Sequence, residues 1–244
     1  FVLLLCAIGL NKIYGQNNTI QITSILNIEL NELKITQAIT FYNKSDSNLK
    51  EVYLHNWPNA YKDKNTPLAK RFIENYSKSF HFAKEKHRGY GKIKSISVDY
   101  DIVNWEINNE QPDILKINLD SFLPPKDSVK INVTYIVKLP KDKFTRYGAD
   151  ATRYNLRYWY LTPAIFDKTW KIYSNLDMDD LYVDNTDYNI TFIVPKSYIL
   201  NSDIFSSFKY NGENKNHVEL QMFPRQFRRD GRRHLILVLD DFHN

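Results

Sequence analysis

Apolar and polar residues alternate with a period of two along most of the chain after residue 16. The longest run, 129–139, places Val129, Ile131, Val133, Tyr135, Val137 and Leu139 on one face and polar side chains on the other. Shorter runs at 115–119 and 188–194 repeat the pattern. One-sided alternation is typical of antiparallel sheets with one face in the core. Further strands are predicted at 20–30, 33–42, 50–57, 217–223 and 234–240.

The alternation changes phase between Ile96 and Ile107. Ile96, Val98, Tyr100 and Ile102 share one phase, whereas Val103, Trp105 and Ile107 share the other. A slip of one residue turns every later side chain to the opposite face. We therefore predict a β-bulge or a bend near Val103.

One segment is predicted to be helical. Thr66 suits the cap position and Pro67 the first helical position. Leu68, Phe72, Ile73, Tyr76 and Phe80 then share one side of the predicted helix. The stretch before it, "LHNWPNAYKDKNTPL", places Trp57 and Tyr61 at the junction between strand and helix. These rings could form a ligand platform or seal a sheet corner. We predict the second, with Trp57 buried.

No linker, internal repeat or change of composition divides the 244 residues. Aromatic residues make up 14% of the chain, and only 7 residues are glycine. Aromatic residues are frequent in strands. The fold class predicted from these patterns is mainly β, a large antiparallel β-sandwich with one short helix.

The first ten residues, "FVLLLCAIGL", form an apolar run that is too short to span a bilayer. We expect residues 1–15 to be a secretory signal peptide with a truncated start, cleaved between Gly15 and Gln16. Residues 16–244 would be the mature domain, exported to the periplasm, the cell surface or the medium. The single cysteine lies within the expected signal, so no disulfide is predicted.

The net charge of +5 raises the question of nucleic-acid binding, above all at "RQFRRDGRR". Asp230-Gly231 is a two-residue turn signal between two strand-like runs, so a hairpin with solvated arginines also explains this stretch. We predict the hairpin, no nucleic-acid partner and no membrane span.

Residue patterns that would identify a catalytic or metal site are missing from the sequence. None of the six histidines occurs in a His-Glu-x-x-His motif, and His81 and His87 are six residues apart, which does not align them on one helix face. The acidic stretch with Asp177, Asp179, Asp180, Asp184 and Asp187 lacks the glycine and the closing glutamate of a calcium loop. We therefore name no catalytic residue and no metal ligand. The aromatic-rich stretch 154–173 is compatible with a stacking groove or with core rings.

Several motifs occur together in a familiar order: "LHNWPNAY", "FHFAKEKHRGYGKIKSISV", "PDILKINL", "INVTYIVKLPKDKFTRYG", "LRYWYLTPAIFDKTWKIYSNLD" and "YNITFIVPKSYIL". From about residue 28 to 244 the chain resembles the N-terminal domain of bacterial secreted gluzincin aminopeptidases, the alanyl-aminopeptidase-like zinc metallopeptidases. The resemblance implies a saddle-shaped antiparallel β-domain that packs on a thermolysin-like catalytic domain. The zinc would be bound in that catalytic domain, which lies outside this sequence.

The resemblance also implies one position next to the substrate. In many members of the family a Thr-Gln-aromatic segment lines the pocket near the amino end of the peptide. Arg157-Tyr158-Trp159 occupies the matching place, so Tyr158 replaces the glutamine. A tyrosine can still donate and accept a hydrogen bond, but its size would reshape the pocket.

Two functions follow as hypotheses. In the first, the chain is the non-catalytic N-terminal domain of an exported zinc metallopeptidase. It would form one wall of the substrate cleft, stabilise the catalytic domain and have no activity alone. In the second, it is a secreted β-sandwich that binds glycans or peptides on exposed tryptophans such as Trp57, Trp159 or Trp170.

Overall fold

The computed structural model describes residues 17–176, 181–202, 205–211, 217–224 and 236–241. The strands of these residues are β1 (Asn18–Asn27), β2 (Glu32–Tyr42), β3 (Leu49–His55), β4 (Tyr90–Val98), β5 (Asp101–Ile102), β6 (Trp105–Ile107), β7 (Ile114–Leu123), β8 (Ser128–Lys138), β9 (Gly148–Ala149), β10 (Arg153–Arg157), β11 (Thr162–Pro163), β12 (Ile165–Asp167), β13 (Thr169–Lys171), β14 (Thr186–Pro195), β15 (Tyr198–Ser202), β16 (Phe205–Asn211), β17 (His217–Pro224) and β18 (Ile236–Asp241). The α-helix is α1 (Pro67–Glu74), and short 3-10 turns occupy Trp57–Tyr61, Glu85–His87 and Asp142–Phe144. The predicted fold class, mainly β with one short helix, is confirmed for these residues.

The largest sheet has eight strands in the order β16-β17-β14-β1-β2-β8-β4-β5. Its pairings are antiparallel except that β1 and β14 run parallel. Alternation in the sequence does not encode strand direction, so this parallel pair could not be predicted. It is possible because a long stretch of chain separates the two strands, and parallel neighbours need a crossover connection.

Smaller sheets complete the domain. The β3 sheet has the order β11-β3-β7-β6, the β10 sheet has the order β15-β18-β10-β9, and β12 and β13 form a hairpin. Buried side chains from all three larger sheets belong to one continuous apolar core, for example Ile39, Leu54 and Leu156. These layers therefore share one core, as expected for a β-sandwich.

The strongest alternation of the sequence corresponds to β8 at the centre of the large sheet. Val129, Ile131, Val133, Tyr135 and Val137 are all at most 6% exposed, and the polar residues between them point away from the core. The prediction for this strand is confirmed. Its neighbour β2 buries the polar Gln37 in the same phase as its apolar residues.

Of the two predictions for the region near Val103, a β-bulge or a bend, the bulge is wrong. The chain leaves β4 after Val98, and Asp99 and Tyr100 have φ angles of 46° and 80°. These two residues form a tight turn that returns the chain as β5, paired with the end of β4. The chain then crosses to the β3 sheet, where β6 pairs with β7. The change of phase thus marks a change of sheet, while the ladder irregularity of β4 lies between Ile93 and Ser95.

The helix begins as predicted but ends earlier. Thr66 Oγ1 accepts a hydrogen bond from Ala69 N at 3.2 Å, and Pro67 is the first helical residue. The helix ends at Glu74, and Ile73 and Tyr76 are 43% and 92% exposed, so neither joins the predicted buried side. Phe80 is buried, but it lies beyond the helix.

The predicted hairpin around Asp230-Gly231 is also wrong. Its two strands exist as β17 and β18, but they belong to different sheets. The turn residues themselves lie outside the described residues, as do the expected signal peptide, its cleavage site at Gly15 and Gln16, and Asp177, Asp179 and Asp180. Among the described residues, no helix is long and apolar enough to cross a membrane.

Candidate functional site at the Trp57–Tyr158 corner

The corner around Trp57 is built where β3 ends. His55 is the last residue of β3, and the backbone N–H of Asn56 donates to Asp113 O at 2.7 Å instead of continuing the ladder. The next residues form the 3-10 turn Trp57–Tyr61, with Pro58 near its start. Every residue of this turn is buried, and Trp57 is 1% exposed. The predicted corner plug is confirmed, and Trp57 cannot serve as a ligand platform.

Four aromatic side chains pack together at this corner. The His55 ring stacks on Trp57 with centroids 4.7 Å apart, and it lies 4.7 Å from the Tyr173 ring. Tyr158 meets Trp57 edge to face at 5.0 Å. The indole N–H of Trp57 donates to Tyr173 O at 3.4 Å. Edge-to-face and offset arrangements suit the ring quadrupoles, so the four rings form a closely packed unit.

Two asparagines connect the corner to β4. The Asn56 side-chain amide donates to Gly91 O at 2.8 Å, and Gly91 N donates to Asn59 Oδ1 at 3.3 Å. Asn59 also donates to Pro112 O at 2.7 Å. A Cβ atom on Gly91 would lie only 2.0 Å from Asn56 Oδ1. Glycine is therefore required at this close approach.

His55 is a buried neutral histidine. It is 2% exposed, and neither ring nitrogen has a hydrogen-bond partner in the described part of the chain. Burial disfavours the imidazolium form and lowers the pKa of His55 to about 3. In the structure its ring packs between Trp57 and Tyr173.

Asp113 is a carboxyl group buried below the same corner. Its Oδ1 accepts from Ser174 Oγ at 2.8 Å and its Oδ2 from Asn175 N at 2.7 Å. Desolvation raises the pKa of Asp113 to about 6, although these hydrogen bonds favour the charged form. Asp113 thus connects two segments by hydrogen bonds, the one that follows Tyr173 and the one between β6 and β7.

Tyr158, the residue predicted to lie next to the substrate, is buried at 2% exposure. It follows β10 with a φ of 50°, in the left-handed region that side chains rarely adopt. Its hydroxyl donates to Leu181 O at 2.8 Å. In the described residues, therefore, the ring supports the segment at Leu181, and it does not lie on the surface. The role next to substrate stays a prediction.

The residues after Tyr158 dock on the large sheet. Leu161 N donates to Gln37 Oε1 and to Tyr135 Oη, each at 3.2 Å, and Gln37 Nε2 donates back to Leu161 O at 2.7 Å. Trp159 packs edge to face on Phe192 at 5.1 Å. The buried amide of Gln37 thereby satisfies both backbone groups of Leu161. Sequence reasoning missed this residue, although a glutamine in the apolar phase of β2 was the available signal.

Two exposed apolar side chains lie on the segments that follow the corner in the chain. Leu176 is 46% exposed and Tyr182 is 57% exposed. The Tyr173 hydroxyl donates to Tyr182 O and accepts from Tyr182 N, so Tyr182 is held to the corner. We call Leu176 and Tyr182 the corner rim.

The tryptophans proposed as a binding platform do not form one. Trp159 is fully buried, like Trp57. Trp170 is half-buried in the β12–β13 hairpin and packs on Tyr53 and Phe166 at 5.4 and 5.2 Å. The stretch 154–173 thus supplies mainly core rings. In the described residues no group of three or more His, Cys, Asp or Glu could hold a metal ion.

Comparison with known proteins gives a likeness in structure alone. No protein-family model and no curated protein matches the sequence. A point mutant of the M1 zinc metallopeptidase from Deinococcus radiodurans matches with a TM-score of 0.52 at 11% sequence identity. The fold is similar to part of an M1 zinc metallopeptidase. The match covers 92% of this chain and 41% of that one.

A second structure of that enzyme agrees. The mutant bound to a Tyr-Ser-Ala substrate matches with a TM-score of 0.50, at 11% identity and the same coverage of both chains. The chain therefore spans about two-fifths of the length of the peptidases that it resembles. At this identity the likeness establishes the fold, and function has to be argued from the site.

Proposed function

We propose that the chain is the non-catalytic N-terminal domain of an exported, aminopeptidase-like zinc metallopeptidase. The observation that carries the proposal is the match of nearly the whole chain, 92%, to a part of an M1 zinc metallopeptidase. The order of the sequence motifs also resembles that family. The domain would stabilise a catalytic domain and form one wall of its substrate cleft.

The corner rim is the part of the surface that we assign to the cleft wall. Tyr182 follows Leu181, whose carbonyl accepts a hydrogen bond from Tyr158, and the family resemblance places Tyr158 near the amino end of the peptide. Tyr158 would act as a positioning residue, because its hydroxyl holds Leu181 O and thus the chain that carries Tyr182. Leu176 and Tyr182 would supply the apolar contact to substrate or to the catalytic domain.

Zinc and catalysis are assigned to residues outside this chain. The described residues offer no suitable group of ligands, so no catalytic step is assigned to them. The related peptidase was observed with a Tyr-Ser-Ala substrate, which supports a short peptide as the substrate of the complete protein. Export to the periplasm, the cell surface or the medium is proposed from the apolar run at residues 1–10.

The first test is the reading frame beyond Asn244. We expect it to encode a His-Glu-x-x-His motif with a downstream glutamate, the ligand set of this class of zinc site. The protein made from the complete frame should hydrolyse a tripeptide and lose activity when zinc is chelated. A downstream domain without that motif would contradict the peptidase proposal.

The second test concerns the cleft wall and uses the same complete protein. Replacing Tyr182→Ala should raise KM for a tripeptide about fivefold with kcat unchanged, because uniform binding is lost. Tyr158→Phe should raise KM by a smaller factor, since only the hydrogen bond to Leu181 O is removed. Tyr100→Ala is the matched control, because Tyr100 is 83% exposed on a different part of the surface. An unchanged KM in both test variants would contradict the assignment of the corner rim to the wall of the substrate cleft. The peptidase assignment would remain in place.

A further inference from the structure

The loop after α1 is packed onto the domain by one buried ring. Phe80 is 0% exposed and lies 5.3 Å from Phe72 and 5.0 Å from Phe144. Gly89 N donates to Tyr61 O at 3.2 Å where the loop ends. The loop is therefore held in a defined conformation, and the side chains that it exposes have fixed places on the surface.

Three apolar side chains of this region point to solvent. Tyr76 is 92% exposed, Phe82 is 77% exposed and Ile73 is 43% exposed. Phe82 N donates to Lys78 O at 3.2 Å, so a tight turn presents Phe82 while Phe80 points inward. An exposed phenylalanine two residues from a buried one is not required by the core.

Positive charge is concentrated at the same place. Residues 70–88 contain six Lys or Arg and two Glu, a net charge of +4, against +5 for all 244 residues. Glu74 is paired with Arg71 at 3.3 Å. The turn that carries Lys141 and Lys143 adjoins the loop, because Lys141 N donates to His87 O at 2.9 Å.

The lysines also surround His87. Desolvation lowers the pKa of His87, and the charges of Lys86, Lys143, Lys141 and Lys84 lower it further. Lys84 and Lys86 are near neighbours of His87 in the chain, and the hydrogen bond from Lys141 N brings the turn with Lys141 and Lys143 to the same place. We call residues 70–88 together with Lys141 and Lys143 the basic loop face.

The chemistry of the basic loop face distinguishes between possible partners. Protein interfaces are depleted in lysine at their cores, so a second protein chain fits poorly. A polyanion such as nucleic acid would pair with the lysines and could stack on Tyr76 and Phe82, but it gives no role to the aliphatic Ile73. A bilayer with anionic head groups accommodates all of them, since lysines bind phosphates while apolar side chains enter the acyl boundary.

We propose that the basic loop face docks the protein on an anionic phospholipid membrane, with Tyr76 and Phe82 inserted at the interface and the surrounding lysines on the head groups. This peripheral contact is separate from the cleft wall and does not depend on the peptidase assignment. Aromatic rings with one polar end are well suited to the interfacial layer. Binding would concentrate the protein at a membrane surface.

Sedimentation of the 244-residue chain with lipid vesicles tests the proposal. We expect binding to vesicles of phosphatidylcholine with phosphatidylglycerol, weak binding to pure phosphatidylcholine, and weaker binding as salt is added. The triple variant Lys78→Gln, Lys84→Gln and Lys86→Gln should lower the partition coefficient on the order of 100-fold, since each lysine near an anionic surface contributes a factor of about five.

A charge-matched variant separates a local site from general attraction. Lys34→Gln, Lys94→Gln and Lys130→Gln remove the same charge from exposed positions of the large sheet. They should lower the partition coefficient by less than about threefold, because screening limits the reach of distant charges. Equal losses in the two triple variants would overturn the proposal.

Ring variants separate lipid from a general polyanion. Phe82→Ser should weaken vesicle binding by about tenfold, and Tyr76→Ser should weaken it more than Tyr100→Ser, an equally exposed tyrosine on the β4–β5 turn. Neither ring variant should change binding to a phosphate polymer. Vesicle binding that is unchanged by both ring substitutions would refute membrane docking. An unsubstituted chain that shows the circular dichroism of a folded protein but does not bind vesicles would refute it as well.

Discussion

Two tyrosines of this chain share a strained backbone and have opposite environments. Tyr158 and Tyr76 have φ angles of 50° and 59°, in the left-handed region that costs an L-residue about 1–2 kcal/mol. Tyr158 is 2% exposed at the Trp57–Tyr158 corner, whereas Tyr76 is 92% exposed on the basic loop face. The same conformation is thus held in place by different forces.

At the corner the side chain itself offsets the strain. Tyr158 packs on Trp57, and its hydroxyl holds Leu181 O. In the loop, backbone hydrogen bonds offset the strain. Ser77 N donates to Phe72 O at 2.7 Å and Tyr76 N to Ile73 O at 2.9 Å, the hydrogen-bond pair that ends helices at a left-handed residue. The Tyr76 ring contributes nothing to this arrangement, which leaves it available for a surface role.

Glycine at position 158 should give the largest effect. Tyr158→Gly relieves the backbone strain but removes a buried ring and leaves Leu181 O without its donor. We expect a loss of about 4 kcal/mol in the free energy of unfolding, measured by urea denaturation. Tyr158→Phe, which keeps the ring, should lose only about 1 kcal/mol. A small loss in Tyr158→Gly would show that the corner is not a packed unit.

The fold of both regions was partly predictable from the sequence. The period of two identified β2, β7, β8 and β14, because one face of each packs on the core. The change of phase at Val103 was detected and misassigned, since alternation cannot tell a bulge from a change of sheet. Helix capping by Thr66 and Pro67 was correct. The helix end was missed because Tyr76 occupies a position where glycine is the usual signal.

The corner was less predictable than the fold. The burial of Trp57 could be predicted from Pro58 and from the end of the strand. Its partners His55 and Tyr173 could not be predicted together, because they are far apart in sequence. Asp113 carried no local signal, because a buried carboxyl differs from a solvated one only through tertiary contacts. The same limit applies to the basic loop face, whose charges were visible but whose exposed Tyr76 was assigned to the apolar side of the helix.

Buried titratable groups at the corner predict an opposed pH dependence. His55 is neutral in the folded chain, so its contribution to stability is lost as pH falls from about 6.5 towards about 3. Asp113 has a raised pKa, so its contribution is largest below about pH 4 and is lost as pH rises through about 6. Each effect amounts to roughly 3 kcal/mol between about pH 4 and pH 7, and they nearly cancel.

Single variants should expose the two effects separately. His55→Phe keeps a ring between Trp57 and Tyr173, and its stability should rise as pH falls from about 7 to about 4. Asp113→Asn should show the reverse slope over the same range. Tyr100→Phe, on the exposed β4–β5 turn, is the control and should follow the parent chain. Parallel slopes in all variants would mean that His55 and Asp113 titrate as solvated groups.

The tight approach of Gly91 to Asn56 predicts an intermediate effect. Gly91→Ala forces a Cβ into the Asn56 amide, which is itself bonded to Gly91 O. We expect a loss of about 2 kcal/mol in the free energy of unfolding. On the exposed loop, Ser79→Ala should change the free energy of unfolding by less than about 0.5 kcal/mol. Equal effects at both sites would contradict the difference in packing between the two regions.

Glycine at position 76 should give the smallest effect, with the opposite sign to glycine at 158. Tyr76→Gly releases the left-handed strain without loss of packing, although glycine also increases the entropy of the unfolded chain. The balance should raise the free energy of unfolding by about 0.5 kcal/mol in urea denaturation. Tyr76→Ala, which keeps a Cβ and therefore the strain, should leave it unchanged within error. A marked loss in Tyr76→Gly would mean that the Tyr76 ring stabilises the fold, and it would weaken the case that this ring is held at the surface for a partner.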